Sequence, residues 1–277
     1  MTPEQLLQEL KENECIDLVK LYQANPSRQF YGLIEELYQL RKQHGLSTRL
    51  SPLVTEIESL THDIQADRIT PQQFTDIATT LDLNQRAHKM SRFILTLDNH
   101  QAFNKAVDII MFGDSITEWG PWHDALGSYS IANRGLAGDT TTGMVRRLET
   151  TSVCQPKLVC IMAGINDLSQ GYSVTEIIDN YSQMLDFWQA AGIEVWVQST
   201  LYVGERLASL NSQVTILNKA LQQLCNQKAI RFIDINQSLC PQHILPLDCS
   251  CDDLHLNSHA YQQWLAILTP LLEQRFK

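Results

Sequence analysis

The stretch Val107-Asp108-Ile109-Ile110-Met111-Phe112-Gly113-Asp114-Ser115 decides the fold. A short, nearly continuous apolar run stops at a glycine and gives way to an acid and a serine. That is the pattern of a strand buried on both faces that ends in a polar turn. It recurs downstream. Tyr129 to Ala132 is a second short strand candidate, and Leu158 to Ala163 a third, ending in Gly164-Ile165-Asn166-Asp167. Val195 to Val197, extended to Thr200, is a fourth, and Ile230 to Ile235 a fifth. Between and after them, Thr142 to Leu148, Val174 to Ala191, Leu210 to Asn226 and Ser258 to Arg275 have helical spacing. Alternating strand and helix predicts a parallel sheet covered on both faces. In such sheets a ligand sits beyond the carboxyl ends of the strands. The polar clusters at Asp114-Ser115, Asn133 to Asp139 and Asn166-Asp167 all fall at those ends.

Upstream of residue 105 the character changes. Phe30, Leu33, Ile34, Leu37 and Leu40 follow the i, i+3, i+4, i+7 template, with Gly45 as a stop. Leu6 to Val19, Leu50 to Leu60, Gln72 to Leu81 and Leu83 to Leu97 read as further helices, and Thr70-Pro71 as a cap followed by a first-turn proline. No strand, repeat or low-complexity segment stands out. The expected organisation is an all-helical N-terminal domain over residues 1–104 and an α/β domain over residues 105–277.

Composition narrows the partners. With 277 residues, 44% hydrophobic and 19% charged, the chain has ordinary globular usage. Its 21 basic against 31 acidic side chains give a net charge of −10, which argues against nucleic acid and against docking on an anionic membrane. No apolar run approaches the roughly 20 residues of a membrane span. The start, Met1 to Leu10, lacks a basic region and an apolar core, so no signal peptide is expected. Seven scattered cysteines fit a reduced, cytoplasmic protein better than a disulfide framework.

Four residues at the polar clusters carry chemistry. Ser115 follows a buried strand and precedes a helix, where backbone N–H groups favour an anion; its plainer reading is a helix N-cap. Gly138, in Gly135-Leu136-Ala137-Gly138-Asp139, lets the backbone approach a reacting carbonyl and aim an N–H at it, or simply makes a turn. The Asn166 amide can donate to developing negative charge, or form an Asx turn. His255 is suited to act as a base for a serine, which is a poor nucleophile by itself. Asp252, three residues earlier, can hold the other ring nitrogen, and Asp253 should face away. The plainer reading there is a solvated acidic loop.

Taken in order, these elements resemble the SGNH hydrolases, also called the GDSL esterase/lipase family. Gly113-Asp114-Ser115 matches the first block, Gly138 the second, Gly164-x-Asn166-Asp167 the third and Asp252-x-x-His255 the fifth. The resemblance covers about residues 107–276. The text from Asn133 to Arg147 is most similar to the branch of platelet-activating-factor acetylhydrolases and bacterial carbohydrate O-acetylesterases. The resemblance implies a three-layer α/β/α, flavodoxin-like sandwich with a five-stranded parallel sheet, and no metal or cofactor. It implies a catalytic triad of Ser115, His255 and Asp252, and an oxyanion hole of the Ser115 N–H, the Gly138 N–H and the Asn166 amide. The implied reaction is hydrolysis of a short-chain, acetyl-type ester on a carbohydrate. The alternatives are a lysophospholipase or thioesterase with a longer acyl pocket, an acyltransferase, and an interaction protein built on the helical domain. That domain could also serve a homo-oligomer, cover the site or recruit a protein partner.

Other constellations compete. Cys249, Cys251, Asp252, His255 and His259 are compact, but their spacing is not a usual zinc pattern. Trp119, Trp122 and His123 either line a pocket or pack, with packing favoured. Arg134, Arg146 and Arg147 either bind an anionic substrate or form ion pairs, with pairing favoured for at least two. Tyr202, Val203 and Gly204 are candidates for the pocket rim.

Overall fold

In the computed structural model, which describes residues 91–277, every strand is parallel and all five belong to one sheet. They are β1 (Ile109–Gly113), β2 (Ile131–Gly135), β3 (Leu158–Met162), β4 (Glu194–Gln198) and β5 (Arg231–Ile233), in the order β2-β1-β3-β4-β5. All five residues of β1 and of β3 are buried, as the continuous apolar runs require for a sheet covered on both faces. The helices are α1 (Ser91–Ala102), α2 (Ser115–Glu118), α3 (Trp122–Ala125), α4 (Thr141–Arg146), α5 (Glu149–Ser152), α6 (Ile165–Ser169), α7 (Val174–Ala190), α8 (Asn211–Gln227), α9 (Asn236–Leu239) and α10 (Ser258–Arg275). The unit that carries the sheet begins at His100. The helices expected before residue 91 lie outside the described residues.

The strand order sets the layers. Crossovers between parallel strands are right-handed, so the step from β1 to β2 and the later steps in the opposite direction lay their connections on opposite faces. On one face α7 packs against α4 and α8, with Trp188 edge-on to Phe112 of β1 at 5.3 Å. On the other, α10 packs against the segment after β1. Trp264 and Tyr261 meet Trp122 at 5.0 and 6.0 Å, and the Tyr261 hydroxyl donates to Ile116 O at 2.6 Å. A capping box of Ser173 and Glu176 starts α7, and Asn257 caps α10.

The second strand differs from expectation. It runs Ile131–Gly135, through two polar residues that were read as loop. Both are satisfied in place: Asn133 Nδ2 donates to Glu118 O at 2.9 Å, and the buried Arg134 guanidinium reaches Phe103 O and Cys154 Sγ at 3.2 Å each. The register then aligns three strand ends, with Gly113 opposite Gly135 on one side and Met162 on the other. The chain reverses direction across the sheet at β1, so the crevice between the loops after β1 and β3 is the topological switch point.

Gly135 ends β2 directly against the backbone of α2, where a Cβ would lie 2.2 Å from Glu118 N. Gly135→Ala is therefore expected to cost about 1–3 kcal/mol by overpacking, read from urea denaturation, and to lower activity by displacing α2.

Candidate active site

Asp114 and Ser115 divide two jobs that the sequence left open. Asp114 is the N-cap of α2: its backbone is extended and its Oδ1 accepts the Ile116 N–H at 3.0 Å. Ser115 is the first residue of the helix. Its side chain is spared capping, and its Oγ lies 3.0 Å from His255 Nε2. As a helix N-terminal group, the Ser115 N–H has no intrahelical acceptor.

His255 is held by the loop that precedes α10. Its Nδ1 lies 2.6 Å from Asp252 Oδ2. The other carboxylate oxygen accepts the His255 N–H at 2.7 Å, the Leu254 N–H at 3.1 Å and the Ser250 hydroxyl at 3.1 Å. Partial burial opposes ionisation of Asp252, but the His255 ring and these backbone donors outweigh it and hold the carboxyl well below the usual range. An ionised Asp252 accepts a hydrogen bond from the Nδ1–H and leaves Nε2 to accept from the serine hydroxyl. Asp253, with φ +68°, points away; its Oδ2 pairs with Arg206 at 3.3 Å and its carbonyl accepts the Gly204 N–H at 2.7 Å.

Gly138 and Asn166 lie at neighbouring strand ends. Gly138 follows β2 with φ +79°, a conformation that favours glycine. The preceding Ala137 N–H is fixed by Glu118 Oε2 at 2.7 Å. Asn166 follows β3, entered through Gly164 at φ +118°, and its Nδ2 donates to Asp139 O at 3.0 Å. An amide nitrogen carries two hydrogens, so one remains for a ligand.

Behind these loops lies a buried charge cluster that sequence reasoning did not assemble. Arg147 Nε meets Asp139 Oδ2 at 2.6 Å, with both side chains at most 2% exposed. The same guanidinium donates to Arg134 O at 2.7 Å and to Gly113 O at 2.9 Å, and lies over the Phe112 ring at 4.3 Å. Asp167, at the start of α6, takes the Thr141 N–H at 3.0 Å and the Thr141 hydroxyl at 2.5 Å. Burial pushes Asp114 up to about 7 and Asp167 up to about 6, and the nearby carboxylates add to both shifts. The only signal in the sequence was the pairing reading for the arginines. Arg147 does pair, in the interior and not on a helix surface, while Arg134 is buried on backbone and sulfur acceptors.

The remaining candidates separate clearly. Trp122 is fully buried and donates Nε1 to Thr117 O at 2.7 Å, whereas Trp119 stands at the site with its ring 4.1 Å from the His255 ring. His123 is exposed. Tyr202, Val203 and Gly204 are buried; Tyr202 lines a cavity with Asn236 and His243, and the segment buttresses the His255 loop through Gly204. Among the described residues no group of three or more metal-ligating side chains is gathered, and Gln263 stands between Cys249 and His259.

A family model described as the GDSL-like Lipase/Acylhydrolase family matches residues 111–263. Over 158 residues the chain is 28% identical to the N-acylneuraminate cytidylyltransferase of Streptococcus agalactiae serotype V, a match spanning 57% of this chain and 37% of that protein. The chain thus spans little more than a third of the length of the curated relatives it matches. A GDSL-like lipase from Bacteroides thetaiotaomicron superposes with a TM-score of 0.60 at 22% identity, over 66% of this chain and 98% of that one. A catalytic mutant of an acetylxylan esterase from Geobacillus stearothermophilus does so with a TM-score of 0.51 at 15% identity, over 60% and 95%. At such identities the likeness is one of fold.

Two tests address the charge cluster. Arg147→Met leaves Asp139 buried without its cation and is expected to cost roughly 3–5 kcal/mol in chemical denaturation; adding Asp139→Leu recovers part of that loss. Asp114 and Asp167 bind protons more tightly in the native than in the unfolded chain, so stability falls as pH rises from about 4 to 7. Asp114→Asn keeps a cap acceptor and removes its share of the fall. The variant should gain stability relative to wild type across that window, and a constant difference would contradict the shift.

Proposed function

The chain belongs to the GDSL-like lipase/acylhydrolase family, and on that premise we propose that it is a serine esterase that removes a short acyl group, acetyl first, from an oxygen ester of a carbohydrate. The observation that carries this reading is the unbroken line Ser115 Oγ to His255 Nε2, 3.0 Å, and His255 Nδ1 to Asp252 Oδ2, 2.6 Å. In the proposed cycle Ser115 Oγ attacks the ester carbonyl carbon as its proton passes to Nε2. The carbonyl oxygen, now an anion, is met by the Ser115 N–H, the Gly138 N–H and the Asn166 amide. The C–O bond to the alcohol breaks, and the imidazolium returns the proton to the departing oxygen. Water then repeats the sequence on the acyl-enzyme, its proton moving through Nε2, and releases the acid and Ser115. Asp252 stays ionised throughout; its depressed proton affinity supports this role.

The carbohydrate half of the proposal draws on two names. One fold neighbour is an acetylxylan esterase, and the relatives identified by sequence are N-acylneuraminate cytidylyltransferases. A reducing compartment is supported by the six described cysteines, all free and five of them buried. Among the described residues no helix is long and apolar enough to cross a membrane. For residues 1–104 we propose an accessory role, covering the site or binding a partner.

The reading is tested by hydrolysis of p-nitrophenyl esters from acetyl to decanoyl. Wild type should prefer acetyl. Ser115→Ala should lose essentially all turnover while folding normally, and Asp252→Asn should lower kcat by roughly 10³–10⁴-fold through the wrong imidazole tautomer. An active Ser115→Ala protein would assign the nucleophile elsewhere.

A further inference from the structure

Trp119 differs from the other tryptophans in its exposure. The other four tryptophans are at most 1% exposed, whereas Trp119 is 47% exposed. It is the C-cap residue of α2, and its N–H donates to Ser115 O at 3.0 Å, so the backbone that carries the indole is tied to the nucleophile. Its ring flanks the His255 imidazole at 4.1 Å between centroids, tilted by 37°. Part of a large aromatic surface therefore faces solvent beside the reacting atoms.

We propose that Trp119 is the platform for the alcohol half of the ester and selects alcohols with a flat apolar face, such as a pyranose ring. This inference rests on the esterase reading given above. The geometry of the tetrahedral intermediate assigns the side. Its carbon is bonded to Ser115 Oγ, and its oxyanion faces the Ser115, Gly138 and Asn166 donors. The leaving oxygen must come within hydrogen-bond reach of His255 Nε2, because that atom returns the proton to it. The group attached to the leaving oxygen then lies alongside the imidazole, and Trp119 borders the imidazole. The acyl substituent takes the remaining bond direction, away from it. Trp119 thus reads the alcohol and leaves acyl length to the wall on the side away from the imidazole. A sugar presents C–H groups on its ring faces, which pack on an indole while the hydroxyls stay in water. The short path from Ser115 O through the Trp119 N–H keeps the platform in register with the nucleophile.

The test measures kcat/KM for a mono-O-acetylated methyl pyranoside and for ethyl acetate, whose alcohol is too small to stack, in wild type, Trp119→Phe and Trp119→Leu. The sugar-to-ethyl ratio should fall about three- to tenfold in Trp119→Leu, the range of one aromatic contact, and less in Trp119→Phe. The preference for ethyl acetate over ethyl butyrate should not move. A sugar-to-ethyl ratio that stays at the wild-type value in an active Trp119→Leu enzyme overturns the platform, as does a shift confined to acyl preference. A wild type that hydrolyses neither ester, and whose Ser115 resists a fluorophosphonate probe, overturns the esterase reading and this inference with it.

Discussion

The buried pair of Arg147 and Asp139 is the contact on which the site depends. The guanidinium spans the carboxyl ends of β1 and β2 by donating to Gly113 O and Arg134 O, and it neutralises the acid that follows Gly138. One cation thereby fixes the point where the Ser115 loop leaves the sheet and the point where the Gly138 loop leaves it. Asp139 in turn holds the Asn166 side chain through its carbonyl. Charges in a dry interior are costly unless paired, and only Asp139 has the guanidinium in direct contact. Asp114 and Asp167 are left with hydrogen bonds from N–H and hydroxyl groups, and their proton affinities rise accordingly.

Two scales of contact meet at Ser115. The Asp252–His255 couple is local, three residues apart, and the loop's own N–H groups complete it. The His255–Ser115 contact joins residues 140 positions apart and depends on how α10 sits against the segment after β1. The Tyr261 hydroxyl on Ile116 O and the aromatic contacts of Trp122 with Tyr261 and Trp264 set that distance. The His255 ring is therefore oriented within its own loop, and its reach to Ser115 Oγ is a property of the core.

What the sequence made legible follows from where the physics is local. β1 and β3 announce themselves because both faces are buried and every residue is apolar. The five-stranded parallel architecture followed from their alternation with helices. β2 was cut short because Asn133 and Arg134 read as loop residues, and only tertiary partners make them tolerable in a strand. The capping role belonged to Asp114 and not Ser115, which one residue of ambiguity could hide. Trp119 and Trp122 look alike in sequence; a three-residue offset sends one into the core and the other to the imidazole. Nothing near Arg147 in the chain distinguishes a buried guanidinium from the exposed one at Arg146. The family resemblance named Ser115, Asp252 and His255, whose side chains the fold lines up, and the lattice of bonds behind them came only from the fold.

The level ends of β1, β2 and β3, with Gly113 between Gly135 and Met162, have a consequence for how such a protein diversifies. Ser115, Gly138 and Asn166 each lie within a few residues of a strand terminus. Asp252 and His255, which follow the last strand, sit instead at the root of α10. Insertions in the intervening segments can reshape what reaches the crevice without disturbing the reactive atoms. Connections between the strands can thus change in length while the strand ends stay level.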